Sequence, residues 1–433
     1  MSQSNAPALD SIVVGAGVAG VCAALYLRKH GARVAILDPM EPGSGASFGN
    51  ACIVANTNLR PVFAGLTPAS LLGMFRNPAS PLNVIWAKFP GLVPWFLRML
   101  RHAAPAEVER ITCALASLCH PGAELYAALL AEAGAADLMR HCGSLALCRS
   151  QEACDHHWEA GLVLLRQLGV PMEKLDRKGI DALAPAVGKA YTHAVYSPAY
   201  RHTPDPQLFV RALFDRFVAL GGVTVARHVD GLLLEKGRVG GVRTASGALA
   251  ARSVVIAAGA NSARFARMAD ESVPHQAVGG YHVMLQDPGV PLETPLLPLD
   301  FRFAITPLGV GIRLAGIYEF GGADAPFDPT MTARMLTHID AVLPGVRVEK
   351  RTTWRGFRSY LPDGLPVIGP SQRVAGLFYD FGFSSSGMIN GAAAGQALAA
   401  SIAGDKPPID LAPFSIARFV GAYSRVIPTA NAA

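Results

Sequence analysis

Ser11-Ile12-Val13-Val14-Gly15-Ala16-Gly17-Val18-Ala19-Gly20-Val21-Cys22-Ala23-Ala24-Leu25-Tyr26-Leu27 is the stretch on which the fold turns. A short apolar run meets three spaced glycines, and apolar residues at helical spacing then continue to His30, where Gly31 supplies a C-cap. Arg33 to Leu37 alternates and stops at Asp38-Pro39, since proline cannot donate to a sheet ladder. The order is strand, glycine turn, helix, strand. Gly15 permits the tight turn, Gly17 admits a pyrophosphate close to the backbone, and Gly20 lets helix and strand pack, while Val18 opens a helix whose amide end favours anions. Asp38 lies at the end of the second strand, where a carboxylate accepts both ribose hydroxyls of an adenosine. The spacing predicts an adenine dinucleotide and leaves flavin and nicotinamide both open.

Outward from this unit, the 433 residues suit two to three domains, and 51% hydrophobic against 16% charged residues describes a globular chain with a sizeable core. Strand patterns recur at Val223–Val225, Leu232–Glu235, Val239–Arg243 and Ser253–Ala257, and a small-residue helix spans about 387–403. Between them, 278–320 reads as strands of an antiparallel sheet. The predicted class is α/β: a discontinuous Rossmann-like dinucleotide-binding domain (1–90, 203–265 and 355–433) with an inserted antiparallel-sheet substrate domain (91–202 and 266–354).

The net charge of +6 is dispersed, with no run of like charges, which speaks against nucleic acid as a partner. Seven cysteines, none beyond Cys154 and none in a C-x-x-C pair, fit a reducing compartment rather than a disulfide framework; their spacing to nearby histidines matches no zinc pattern, so no metal is expected. The N-terminus lacks a secretory pattern, and no run of uncharged apolar residues is long enough to span a bilayer, so a cytoplasmic location is expected. One composition shift stands out. From Pro42 to Ala106 there is no acidic residue, while Arg60, Arg76, Lys88, Arg98 and Arg101 stand among aromatic residues including Trp86 and Trp95. Such a stretch reads either as an apolar flap over the dinucleotide domain or as a peripheral contact with an anionic membrane at its inner face.

Two segments favour flavin over nicotinamide. Val254 to Ile256 ends in Ala257-Ala258-Gly259, small residues suited to a chain passing close to a cofactor. Ser386-Gly387-Met388 opens the small-residue helix, whose free amides and dipole suit the negative charge of a reduced flavin. With these residues in place, the chain resembles the FAD-dependent D-amino acid dehydrogenases, within the D-amino acid oxidase and glycine oxidase superfamily. The resemblance covers nearly the whole length and rests on the glycine motif, on Ser47-Phe48-Gly49-Asn50-Ala51, on Gly280-Tyr281, and on Gly356-Phe357-Arg358-Ser359-Tyr360-Leu361-Pro362-Asp363-Gly364 continuing to Gly369. It implies a D-amino acid oxidase-like fold with a backbone contact from Val229 to the adenine. It also implies that Ala46, Ser47, Asn50 and Ala51 line the pyrophosphate and flavin, and that Arg358 holds a substrate carboxylate. The chain departs from the family at Ser359 and Phe383, where relatives usually carry proline and histidine.

By the resemblance, the activity is FAD-dependent oxidation of a D-amino acid or a cyclic imino acid such as proline, with quinone, oxygen or a partner protein as electron acceptor. Non-covalent FAD is expected, because the relatives that attach flavin near the C-terminus use a cysteine there. Arg358 offers a planar fork to a carboxylate. Tyr281 is expected to close the pocket with its hydroxyl, and Tyr200-Arg201-His202 to approach it. An NAD-dependent dehydrogenase without flavin and a flavin subunit of an electron-transfer complex are the alternatives.

Overall fold

The computed structural model describes residues 9–54, 59, 61, 63–77 and 80–419. Strand Leu9–Val14 lies at the centre of a parallel array, between Val34–Leu37 on one side and the C-terminal half of Gly247–Ile256 on the other. Val223–Val225 extends the array beyond Val34–Leu37, and Leu377–Phe381 extends it beyond Gly247–Ile256. Val13 faces a core shared with the helices, whereas Ile12 and Val14 face the opposite core with Val254 and Ile256. Both faces are covered, as a parallel sheet requires.

Helix Val18–Lys29 and the C-terminal helix Gly387–Ala403 pack backbone to backbone. A Cβ on Gly395 would lie 2.7 Å from the Ala23 amide nitrogen, and one on Gly391 would meet the Tyr126 hydroxyl at 2.7 Å. The alanine and glycine content of the second helix is therefore a packing requirement. Tyr126 belongs to the 28-residue helix Pro105–Glu132, and its hydroxyl donates to the Gly387 carbonyl at 3.3 Å. By length and composition that helix would cross a bilayer, yet 56% of its most apolar window is buried inside the protein.

The second sheet runs in the order Arg351–Tyr360, Gln276–Gln286, Gly311–Phe320, Ala304–Leu308, Leu296–Pro298, Leu145–Cys148, His193–Tyr196 and Glu173–Leu175. Leu82–Val84 adds to Gly311–Phe320. Two expected boundaries move as a result: the strand holding residues 355–360 belongs to this second sheet, and helix Pro105–Glu132 packs on the C-terminal helix.

Within the acid-free stretch, Phe75, Phe89, Trp95 and Phe96 form an aromatic cluster with Phe320, with Phe96 and Phe320 centroids 5.1 Å apart. Trp95 is 4% exposed and donates from its indole to the Pro274 carbonyl at 2.8 Å. It is a core residue and is not available to a membrane. Trp86 is 51% exposed; Arg60 lies outside the described residues.

Candidate active site

The glycine turn closes where the parallel strands end. Gly15 has φ 114°, and a Cβ there would sit 2.4 Å from the Ala257 carbonyl oxygen. A Cβ on Gly20 would sit 2.1 Å from the Gly15 carbonyl oxygen, so helix and turn touch through bare backbone. Ser47 Oγ accepts from the Val18 amide at 3.0 Å, which caps the helix from a distant loop. The Asp38 carboxylate accepts from the Ala16 amide at 2.8 Å and the Met40 amide at 2.9 Å. It thus ties the turn to the end of the second strand and keeps further lone pairs for a ligand. A Cβ on Gly387 would lie 3.6 Å from Val18 Cγ1, which puts the N-termini of the two helices side by side. Two helix N-termini, with their dipoles meeting at one crevice, make an anion site.

A cavity of about 1730 Å³ runs from this crevice across the face of the second sheet. That exceeds the roughly 300–1,000 Å³ of a single ligand pocket, so two ligands fit together. Gly15, Gly17, Val18, Asp38, Pro39, Ala46, Ser47, Asn50, Ala51, Val229, Ala258, Gly259, Gly356, Gly387, Met388 and Arg358 all line it. The Val229 carbonyl accepts from Arg264 at 2.6 Å, which fixes this backbone segment beside the cavity. Gly20 and Ser386 stand behind the lining: Ser386 Oγ donates to the Phe383 carbonyl at 2.8 Å and accepts from Asn390 at 3.0 Å.

Three expected pocket residues lie elsewhere. Tyr281 is fully buried in the opposite core, and its hydroxyl donates to Glu319 Oε2 at 2.6 Å; strand alternation turns Gly280, not Tyr281, toward the cavity. Arg201 pairs with Glu124, and His202 is buried with Nδ1 3.0 Å from Cys142 Sγ. Burial, reinforced by Arg140, holds the His202 imidazole down at about 4, so it stays neutral at physiological pH. Of that run only Tyr200 reaches the cavity.

Arg358 projects from Arg351–Tyr360 across Gly280 of the neighbouring strand. A Cβ on Gly280 would lie 2.4 Å from Arg358 Nη1, so the glycine is what lets the guanidinium cross. Nη1 donates to the Ile317 carbonyl at 2.9 Å, and the guanidinium carbon sits 4.7 Å over the Tyr318 ring. No carboxylate pairs with it among the described residues, whereas neighbouring Arg355 approaches Glu319 at 3.7 Å. The Ile317 and Gly279 carbonyls and the Tyr318 ring thus position a part-buried cation with no carboxylate beside it.

Asp380 is a cavity residue that motif reading passed over, although a lone acid inside the apolar run Leu377–Phe381 was a visible signal. Its side chain is 1% exposed, lines the cavity, and has no hydrogen-bond partner on either oxygen. Asn390 Oδ1 and Ser384 Oγ are likewise buried without partners. Orphaned polar atoms beside two helix N-termini and a glycine turn are the mark of a polar ligand.

This is the site of a dinucleotide-dependent enzyme. The family model described as FAD dependent oxidoreductase, of the DAO type, matches residues 10–401, and the chain belongs to that family. It is 30% identical over 422 residues to a D-amino acid dehydrogenase of Xanthobacter autotrophicus, covering 95% of this chain and 99% of the relative. It is 28% identical over 415 residues to a D-amino-acid oxidase of Bradyrhizobium diazoefficiens, covering 94% and 98%. Among solved structures it is similar to an L-proline dehydrogenase from P. horikoshii, at TM-score 0.73 and 18% identity over 96% of this chain and 98% of the other. It is also similar to an iminodiacetate oxidase from Chelativorans sp. BNC1, at TM-score 0.71 and 21% identity over 94% and 98%. The cofactor is therefore FAD, and the enzyme is an FAD-dependent amino acid oxidoreductase.

Burial pushes the Asp380 carboxyl up to about 8 from an ordinary value of 3.8. An acid raised on folding contributes stability that is complete below pH 3.8 and is lost as pH rises through about 8. Relative to Asp380→Asn, which cannot titrate, the parent should lose thermal stability steadily across that window and hold a constant deficit above it. Melting curves of both proteins against pH, measured without FAD, check this; a pH-independent difference would mean that Asp380 does not titrate there.

Proposed function

We propose that the chain oxidises an amino or imino acid at its α-carbon, with the substrate carboxylate held by Arg358 and FAD bound non-covalently in the crevice. The observation that carries this reading is a part-buried guanidinium on the cavity wall with no carboxylate paired to it among the described residues. Such a cation asks for an anion, and a planar fork fits a carboxylate.

The cofactor site follows from the same residues. The glycine turn at Gly17, with the dipole of the helix behind it, and the amide end at Gly387–Met388 would carry the pyrophosphate and the electron-rich edge of the flavin. Asp38 would meet the ribose, the Val229 backbone the adenine, and Ser47–Ala51 the ring system. FAD supplies the two-electron acceptor for the hydride that leaves the α-carbon, in this reading at flavin N5. The protein's share is alignment: Arg358 fixes the carboxylate and with it the α-carbon. With His202 buried outside the cavity, the reading assigns it no proton, and the substrate enters with its amine neutral. The relatives named for D-amino acids and for L-proline support a D-amino acid or a cyclic imino acid as the substrate.

Acid precipitation should release all the yellow colour into the supernatant; colour retained in the pellet would mean a covalent link. Arg358→Leu should fold and keep FAD while kcat/KM falls by about 100-fold, because a lost bidentate charged pair removes roughly 1.5–3 kcal/mol. Arg358→Lys should recover part of this, since a point charge lacks the fork geometry. Steady-state turnover with an artificial dye and the flavin content of each variant measure both effects. Loss of flavin on mutation, or an equal slowing of the amino acid and its decarboxylated amine, would make Arg358 structural.

A further inference from the structure

The cavity does not end at Arg358. Beyond the guanidinium it continues over the faces of Gly311–Phe320, Ala304–Leu308, Leu296–Pro298, Leu145–Cys148 and His193–Tyr196. The floor residues are neighbours in register: Ala315 pairs with Ala304, Leu297 with Ala146, and Ala146 with Val195. Four strand-to-strand steps at about 4.8 Å make this a trough roughly 19 Å long. Three of its five floor positions are alanine, whose short side chains leave space above the sheet; at the far end Ala146 and Val195 also pack with Trp158, Leu162 and Met172. Leu165 and Met172 wall the far end.

The floor carries no ionisable group. Of the titratable lining residues on this side, Arg149, Asp300, Arg302 and His156 are exposed and His157 is half-buried, and Arg149 is already paired with Asp300 at 2.6 Å. At the near end the guanidinium leans over Gly280 onto Tyr318, so an anion held there has the trough in front of it.

We infer that this trough receives the substrate's side chain, so that the substrate class is an α-amino or α-imino acid with an extended, largely apolar side chain, and that Ala304 and Ala146 set the length accepted. The inference rests on the reading of Arg358 as the carboxylate clamp. Charged or short side chains gain little here: the first meet no charged group on the floor, and the second leave the alanine floor uncovered. Each methylene buried along the trough should raise affinity about fourfold, the equivalent of about 0.8 kcal/mol.

The test uses the FAD-loaded protein and two probe series. Straight-chain carboxylates from butyrate to decanoate are titrated by the change they cause in the flavin absorbance spectrum, a readout that needs no turnover. Alanine and 2-aminooctanoate, each as both enantiomers, are compared by anaerobic flavin bleaching. The expected result is an affinity that climbs about fourfold per methylene in the parent. The climb should level off in Ala304→Leu, and more gently in Ala304→Val should the larger residue disturb folding. The preference for 2-aminooctanoate over alanine should fall at least tenfold in the same variants. A series that is flat in the parent, or one that climbs unchanged in both variants, overturns the inference and makes the trough an entry path. A climbing series with no bleaching by any amino acid overturns instead the parent reading of amino acid oxidation, and the substrate class with it.

Discussion

The close approach of two helices without side chains between them is the constraint on which the rest of the structure depends. Gly391 and Gly395 of the C-terminal helix lie against the backbone of helix Val18–Lys29, and Gly20 in turn lies against the glycine turn. Only this spacing puts both amide ends at one crevice, beside the ends of the parallel strands. An added Cβ at Gly395 or Gly20 would push helix from helix or helix from sheet, and the anion site would open with it.

Charge is distributed around the cavity with the same economy. The phosphate end has dipoles and amides and no basic side chain in its glycine turn, while the substrate end has one guanidinium held by carbonyls and a ring. Asp380, buried in the cavity wall without a hydrogen-bond partner, has its carboxyl pushed up by burial, since nothing near it compensates a charge. The second sheet divides its two faces accordingly. One face packs Tyr281, Val283 and Leu285 into a core, and the other presents Gly280, Gly316 and Ala304 to the cavity.

How much of this was legible in the sequence follows from how local each feature is. The glycine turn, Asp38 and the small-residue helix are legible because each is set by neighbours a few residues away. Arg358 was legible only through the resemblance of its surrounding segment; by composition it was one arginine among many. Tyr281 was misplaced because the face a strand residue takes depends on register across the sheet: its strand pairs Tyr281 with Ile317 and His282 with Ala315, so the extra residue, Gly316, lies on the partner strand, and regular alternation carries Tyr281 into the core with Val283 and Leu285. His202 was misplaced because burial depends on the distant strands that pair with it, Ile53–Val54 and Arg140–His141. The trough is the least local feature of all, since its floor comes from five strands spread between residues 145 and 320.

The central claim is that one cavity holds FAD and an α-amino or α-imino acid together, with the acid's carboxylate on Arg358. The most direct measurement mixes the holoprotein, without oxygen, with an amino acid and separately with its carboxamide, and follows the flavin colour. The account predicts bleaching by the acid and little or none by the amide, which presents no anion to the guanidinium. Equal bleaching by both, or bleaching by a reduced nicotinamide dinucleotide alone, would contradict it.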